Sequence, residues 1–209
     1  APTTAEALQG MVDWSLAHSA VPVVSHPNFH YALRAEDIAR ISGCNIVEMF
    51  NGHGSCNYYA AGGMPGNEDV WQELLSAGKR FFGVAVDDVH HFHKPWVGYT
   101  AARPARGWVF VDAAERTPRA ILKALTEGRF YGSTEIELEE YSIEDNKINV
   151  SIDAYHMLRY SIELIAPDGT VLQEVHDTKA CLDISSTPRP CRARCRSSYG
   201  GFAWCQPIW

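Results

Sequence analysis

Three short stretches of the chain concentrate side chains that bind metal ions, and each follows an apolar run that reads as a strand. Val21-Pro22-Val23-Val24 leads into Ser25-His26-Pro27-Asn28, and Asn45 to Met49 leads into Phe50-Asn51-Gly52-His53. Phe81 to Val86 leads into Asp87-Asp88-Val89-His90-His91-Phe92-His93. In parallel α/β folds ligands sit beyond the carboxyl ends of strands, so the three loops are expected to meet on one rim. Asp88 and His90 are two positions apart and project from the same side of an extended segment, where they can share one cation. A carboxylate with an imidazole suits Zn, Mn or Fe, because the anionic oxygen offsets the ion's charge and the nitrogen adds affinity. His26 would arrive from another strand end. The competing reading gives Asp88 a turn hydrogen bond and leaves His90 a partly exposed polar residue. Asp87, His91 and His93 alternate with the pair, so the register stays open.

Other residues make weaker claims. His30 and His53, with Asn28 and Asn51 beside them, lie near the same rim as candidate contacts to ligand or metal. His18, on a predicted helix, and His156 and His176, further on, read as structural or exposed. Glu48 falls inside a buried strand, where a carboxylate needs a cation, an arginine or a backbone donor. Gly52, Gly54, Gly62, Gly63 and Gly66 loosen a loop from Asn51 to Asn67 that has neither Walker spacing nor a phosphate-loop lysine. No serine stands in a GxSxG context and no cysteine has a nearby base signature, so covalent hydrolase chemistry is weakly supported. Glu137, Glu139 and Glu140 fall on a solvated strand face, which gives a paired-carboxylate carbohydrate hydrolase little support.

The elements that would position these loops alternate between strand and helix as far as about Thr134. Leu8, Met11, Val12, Ser15 and Leu16 follow helical spacing; Val70, Trp71, Leu74 and Leu75 form an apolar stripe that ends at Gly78. Thr117-Pro118 is a helix start, with Ile121, Leu122 and Leu125 as its expected buried face and Gly128 as its end. Trp108 to Val111 and the segment beginning Phe130-Tyr131 read as further strands, and the alternation argues for a mainly parallel α/β layer or barrel. Beyond Thr134 the period becomes two: Ile148, Val150 and Ile152 alternate with Asn149, Ser151 and Asp153. Residues 135–209 are therefore expected to form a small antiparallel sheet or sandwich packed on residues 1–134, with Ile148, Val150 and Ile152 facing its core.

Composition narrows the function classes. The chain has 209 residues, 46% hydrophobic and 21% charged, which is ordinary for a globular protein. A formal net charge of −7 argues against holding nucleic acid by bulk electrostatics. No apolar run approaches the roughly 20 residues of a membrane span. The N-terminal sequence lacks the basic and apolar regions of a signal peptide, so the cytoplasm is the expected compartment, with a cleaved signal left open. The six cysteines have no CxxC spacing; buried free thiols are the plainer reading, since disulfides would need an oxidising compartment.

The segments SHPNFHYAL, NIVEMFNGH, WQELLSAGKRFFGVAVDDVHHF and RAILKALTEGRFYGST resemble, in order, the second half of a PHP (polymerase and histidinol phosphatase) domain. The nearest subset is similar to metal-dependent phosphoesterase-like proteins, whose C-terminal extension resembles the segment ending GFAWCQPIW. The resemblance implies a distorted (β/α)7 barrel, a rim cluster of two or three metals, and phosphoester hydrolysis by metal-activated water. By motif it implies His26, Asp88 and His90 as metal ligands, with His91 pointing elsewhere. The family's opening HxH has no counterpart in residues 1–20, which hold one histidine, His18. The expectation is then part of a barrel, completed by a further segment or by another copy, with weak turnover on a phosphorylated small molecule. The alternative is a non-catalytic accessory or interaction module.

Overall fold

The structure is a computed structural model and describes residues 2–90, 92, 93 and 103–209. At its N-terminal end two parallel strands, β1 (Ile46–Asn51) and β2 (Phe82–Val86), pair from Ile46 with Phe82 to Asn51 with Val86. Val24 adds a single parallel bridge to Val47 on the other edge of β1. Every residue of β1 is buried, as a strand covered on both faces must be. Three helices cover one face: α1 (Thr4–Ala17), α2 (Ala35–Ile38) and α3 (Asn67–Ser76). Val12, Ile38, Val70, Trp71 and Leu74 pack there against Val47, Met49 and Ala85. The predicted stripe on α3 is this contact, whereas Met11 and Leu16 of α1 stay exposed.

The remaining strands form two antiparallel sheets. The larger runs in the order β3 (Trp108–Val111), β4 (Phe130–Ser133), β11 (Phe202–Cys205), β10 (Arg192–Ser197), β7 (Tyr160–Ile165) and β8 (Val171–Val175). The smaller is β5 (Leu138–Glu144), β6 (Lys147–Ile152) and β9 (Lys179–Asp183). Ile148, Val150 and Ile152 bury on one side of β6 and meet Ile162, Leu164, Cys195 and Ala203 of the larger sheet, giving a sandwich-like core. Asn149 is half-buried on the outer side, but Ser151 is buried there, its hydroxyl donating to Glu139 Oε2 at 2.9 Å. Helix α4 (Pro118–Thr126), capped by Thr117, lies between β3 and β4 in sequence. Its expected apolar face is only partly used: Ala124 is buried, Leu125 half-buried, and Ile121 and Leu122 are exposed.

The (β/α)7 barrel implied by the resemblance is not the fold. The described residues hold mostly β structure in antiparallel sheets, with no closed barrel. Parallel pairing stops at β2. The next two strands, β3 and β4, exist as the sequence predicts, but they pair antiparallel and join the C-terminal strands through β11. Four-residue apolar runs announce a strand and say nothing of its partner or direction. The six-stranded sheet therefore crosses residue 134 without a break. The chain solves the unpaired edge of β2 with a side chain: the Gly83 N–H donates to Gln206 Oε1 at 2.9 Å, and Gln206 Nε2 donates to the Gly83 carbonyl at 2.9 Å. Gly132 of β4 passes so close that a Cβ there would lie 3.2 Å from Ala85 Cβ.

An ionic network ties α3 to β10. Glu68 Oε1 accepts from Arg192 at 2.7 Å and from Arg194 at 3.0 Å, and Arg192 stacks over Trp71 with its guanidinium carbon 4.6 Å from the ring centre. Glu163 accepts from Arg194 and Arg196. All six cysteines are free thiols, and all but Cys181 are buried. Among the described residues no helix is long and apolar enough to cross a membrane.

Candidate metal centre

Because Val24, β1 and β2 run parallel, the chain leaves all three at the same end. The Gly52 N–H still pairs with the Val86 carbonyl at 2.9 Å, so the loops after β1 and β2 start side by side. Asn51, fully buried at the end of β1, organises them. Its Nδ2 donates to Glu48 Oε2 at 2.9 Å and to Asp88 Oδ2 at 3.2 Å, while its Oδ1 accepts the His53 N–H at 2.8 Å. One amide thus gathers two carboxylates and fixes the start of the His53 loop. A turn closed by the Cys56 N–H on the His53 carbonyl (3.0 Å) then brings Cys56 back beneath His53. Ligand atoms of His53, Cys56 and Asp88 all lie within 4.8 Å of one another. Donors on one tetrahedral zinc stand about 3.3–3.8 Å apart, given bonds of about 2.0–2.3 Å, so a modest inward movement would complete a three-ligand site.

The electrostatics favour a cation. Among the described residues neither Glu48 nor Asp88 has a lysine or arginine partner; the ionic contact is His90 Nδ1, 3.9 Å from Asp88 Oδ1. Burial, and then the charges of Asp88 and Glu48, push the Cys56 thiol up to about 12. The thiol therefore stays protonated beside the carboxylates, and a bound cation would reverse this, since a coordinating thiol loses its proton. His90 Nδ1 lies 2.8 Å from the Asp88 carbonyl, which can only accept, so Nδ1 carries the proton of this bond and Nε2 is the nitrogen left to act as a ligand in the neutral ring. Its ring stands edge-on to His53, centroids 5.3 Å apart. His53 Nδ1 accepts the Ser55 N–H at 3.3 Å, a long bond that coordination through Nδ1 would displace.

The sequence-predicted residues divide accordingly. Asp88 is at the centre, with His90 against it and His53 within ligand distance. His26 reaches the centre through its backbone, its N–H donating to Glu48 Oε2 at 2.6 Å, while its ring packs 5.5 Å from Phe29. His26 and Asp88 both have positive φ, +32° and +51°, uncommon for residues other than glycine and held here by these contacts. Asp87 accepts the Ala105 N–H at 3.0 Å and so anchors the returning segment. Asn28 is buried in a clamp, donating to the carbonyls of Asn57 and Pro65. His30 is exposed beside Phe29, His93 is exposed, and His91 lies outside the described residues. Cys56 is the residue that sequence reasoning passed over. The signal was there: His53 and Cys56 are three apart directly after a strand, a spacing one turn can close.

Comparison with known proteins adds no family: no family model, no curated protein sequence and no solved structure matches the chain.

Proposed function

We propose that this chain binds a divalent transition metal at His53, Cys56 and Asp88 and that the site serves hydrolysis of a phosphoester. The observation that carries the reading is the approach of imidazole, thiol and carboxylate to within 4.8 Å, beside a second carboxylate, Glu48, that has no basic side-chain partner among the described residues. Nitrogen, sulfur and oxygen donors together suit zinc better than magnesium or calcium, which prefer oxygen alone. Three protein ligands leave a position for water, whose pKa a bound zinc lowers to about 7. Asn51 holds the carboxylates in place, and His90, with Nδ1 engaged by the Asp88 carbonyl, has Nε2 as the nitrogen that could add a fourth donor. The likeness of the strand-end segments to PHP phosphoesterases supplies the reaction class, and in that likeness His26, Asp88 and His90 are the ligands. The two sets share Asp88.

Metal analysis of the purified protein, followed by assay on phosphomonoesters and phosphodiesters, tests the reading. One equivalent of zinc, lost in Asp88→Ala and in Cys56→Ser, with slow turnover is the expected result. Absence of any bound transition metal after zinc loading overturns the site. Metal without turnover would leave the accessory-module reading, which has its own support: Met11, Val23 and Phe29 are exposed around a cavity of about 620 Å3 between α1 and the His26 loop.

A further inference from the structure

A second concavity, about 270 Å3, lies between the metal-centre loops and the β11 hairpin, lined by Phe50, Tyr58, Tyr59, Arg106, Glu135 and Tyr199. Four of these six are aromatic, yet two of the rings stay in solvent: Tyr59 is 57% and Tyr199 82% exposed. Phenol rings left open on the walls of a cavity offer stacking surface with little side-chain entropy to lose. The inner rings are already fixed, Tyr58 packing on Phe50 (4.9 Å) and on Tyr59 (4.6 Å).

The cavity wall carries one cation, Arg106, and one carboxylate, Glu135. Arg106 Nη2 donates to the Tyr58 hydroxyl at 3.0 Å, and its guanidinium carbon stands 5.8 Å from the centre of that ring. Among the described residues no carboxylate lies within ion-pair distance of it. A guanidinium braced on the Tyr58 phenol, with no counter-charge among the described residues, is a ready anion clamp, with donors left over for two oxygens. Arg106 adjoins the metal centre: a Cβ at Gly52 would touch Arg106 Cβ at 2.6 Å, and Tyr58 follows Cys56 by two residues. Glu135 lies against Gly201, where its carboxylate is already engaged, accepting from Ser197 Oγ at 2.7 Å. An anion in the cavity would therefore be held by Arg106.

We infer that this cavity binds a small phosphate ester carrying a planar ring, with Arg106 on its phosphoryl oxygens and Tyr59 and Tyr199 stacking on the ring. The phosphoester chemistry rests on the function proposed above, but the binding itself needs no metal. The volume, just under the roughly 300–1,000 Å3 of sites for drug-sized ligands, fits one ring with its ester group.

Calorimetric titration of the whole chain in EDTA with phenyl phosphate, inorganic phosphate and benzyl alcohol separates the contributions. Phenyl phosphate is expected to bind at least about tenfold more tightly than either control, because only it engages both the stacking rings and the guanidinium. Tyr199→Ala and Arg106→Gln should each weaken it about tenfold; Tyr199 is so exposed that its loss leaves the fold intact. Circular dichroism of both variants checks folding. Equal affinity for phenyl phosphate and inorganic phosphate, or binding unchanged in Tyr199→Ala, overturns the inference. Zinc binding measured separately keeps the two ideas apart: ring-dependent binding without zinc binding sinks the metal centre alone, and zinc binding without ring selectivity sinks this cavity alone.

Discussion

Gln206 binds Gly83 in the way a neighbouring strand would, taking its N–H on Oε1 and giving Nε2 to its carbonyl, both at 2.9 Å. The two residues are 123 positions apart and both are buried. This contact ends the parallel sheet at two strands and joins the last segment of the chain to the α/β part.

Gln206→Leu is therefore expected to destabilise the protein by about 2–4 kcal/mol, since two buried backbone groups lose their partners at roughly 1–3 kcal/mol each. Urea unfolding measures it. A change below about 0.5 kcal/mol would show that water replaces the amide.

Asn51→Leu should weaken zinc binding by about 10- to 100-fold, the usual effect of removing a group that orients metal ligands. Both Glu48 and Asp88 lose their common donor, and the His53 loop loses its anchor. Competition titration with a chromophoric chelator reads the affinity. Unchanged affinity would mean the carboxylates are positioned by something else.

The α3–β10 network makes stability depend on acid. Burial raises the Glu68 pKa, but Arg192 and Arg194 together outweigh burial and leave it below the ordinary 4.5. A carboxyl whose pKa is lowered on folding adds stability above its unfolded pKa, and that stability is lost as pH falls through the folded value. Glu68→Gln should thus be less stable than the parent at pH 7, with the gap narrowing once pH drops below about 4.5. Thermal melts from pH 7 to pH 3 test this; a constant gap would contradict it.

Register in the sandwich can be tested by one pair. Ile143 and Ile148 face each other across β5 and β6, yet Ile148 is fully buried and Ile143 is 47% exposed. Ile148→Ala should cost about 2–5 kcal/mol, the range for emptying a core position. Ile143→Ala should cost well under half of that. Similar losses at both positions would mean the sheet edge is covered.

Periodicity alone determined much of this protein. The stripe Val70, Trp71, Leu74 and Leu75 specified a core-facing helix, and the alternation through Ile148, Val150 and Ile152 specified which side of a strand turns inward. Both are local, because a side chain's direction follows from its spacing along one element. The order Val24, β1, β2 with polar loops after each likewise foretold that His53 and Asp88 would leave the sheet at one end. What the sequence could not settle was pairing over distance. Nothing in Trp108–Val111 or Phe130–Ser133 says that these strands run antiparallel and join the C-terminal sheet, and nothing in Gln206 says that it replaces a strand beside Gly83. The same holds within the site. Cys56 meets Asp88, and Asn51 bridges two carboxylates, only because a turn folds one loop under another. Direction and burial are written residue by residue. Which elements become neighbours depends on the free energy of burying all of them together, and that is decided only in three dimensions.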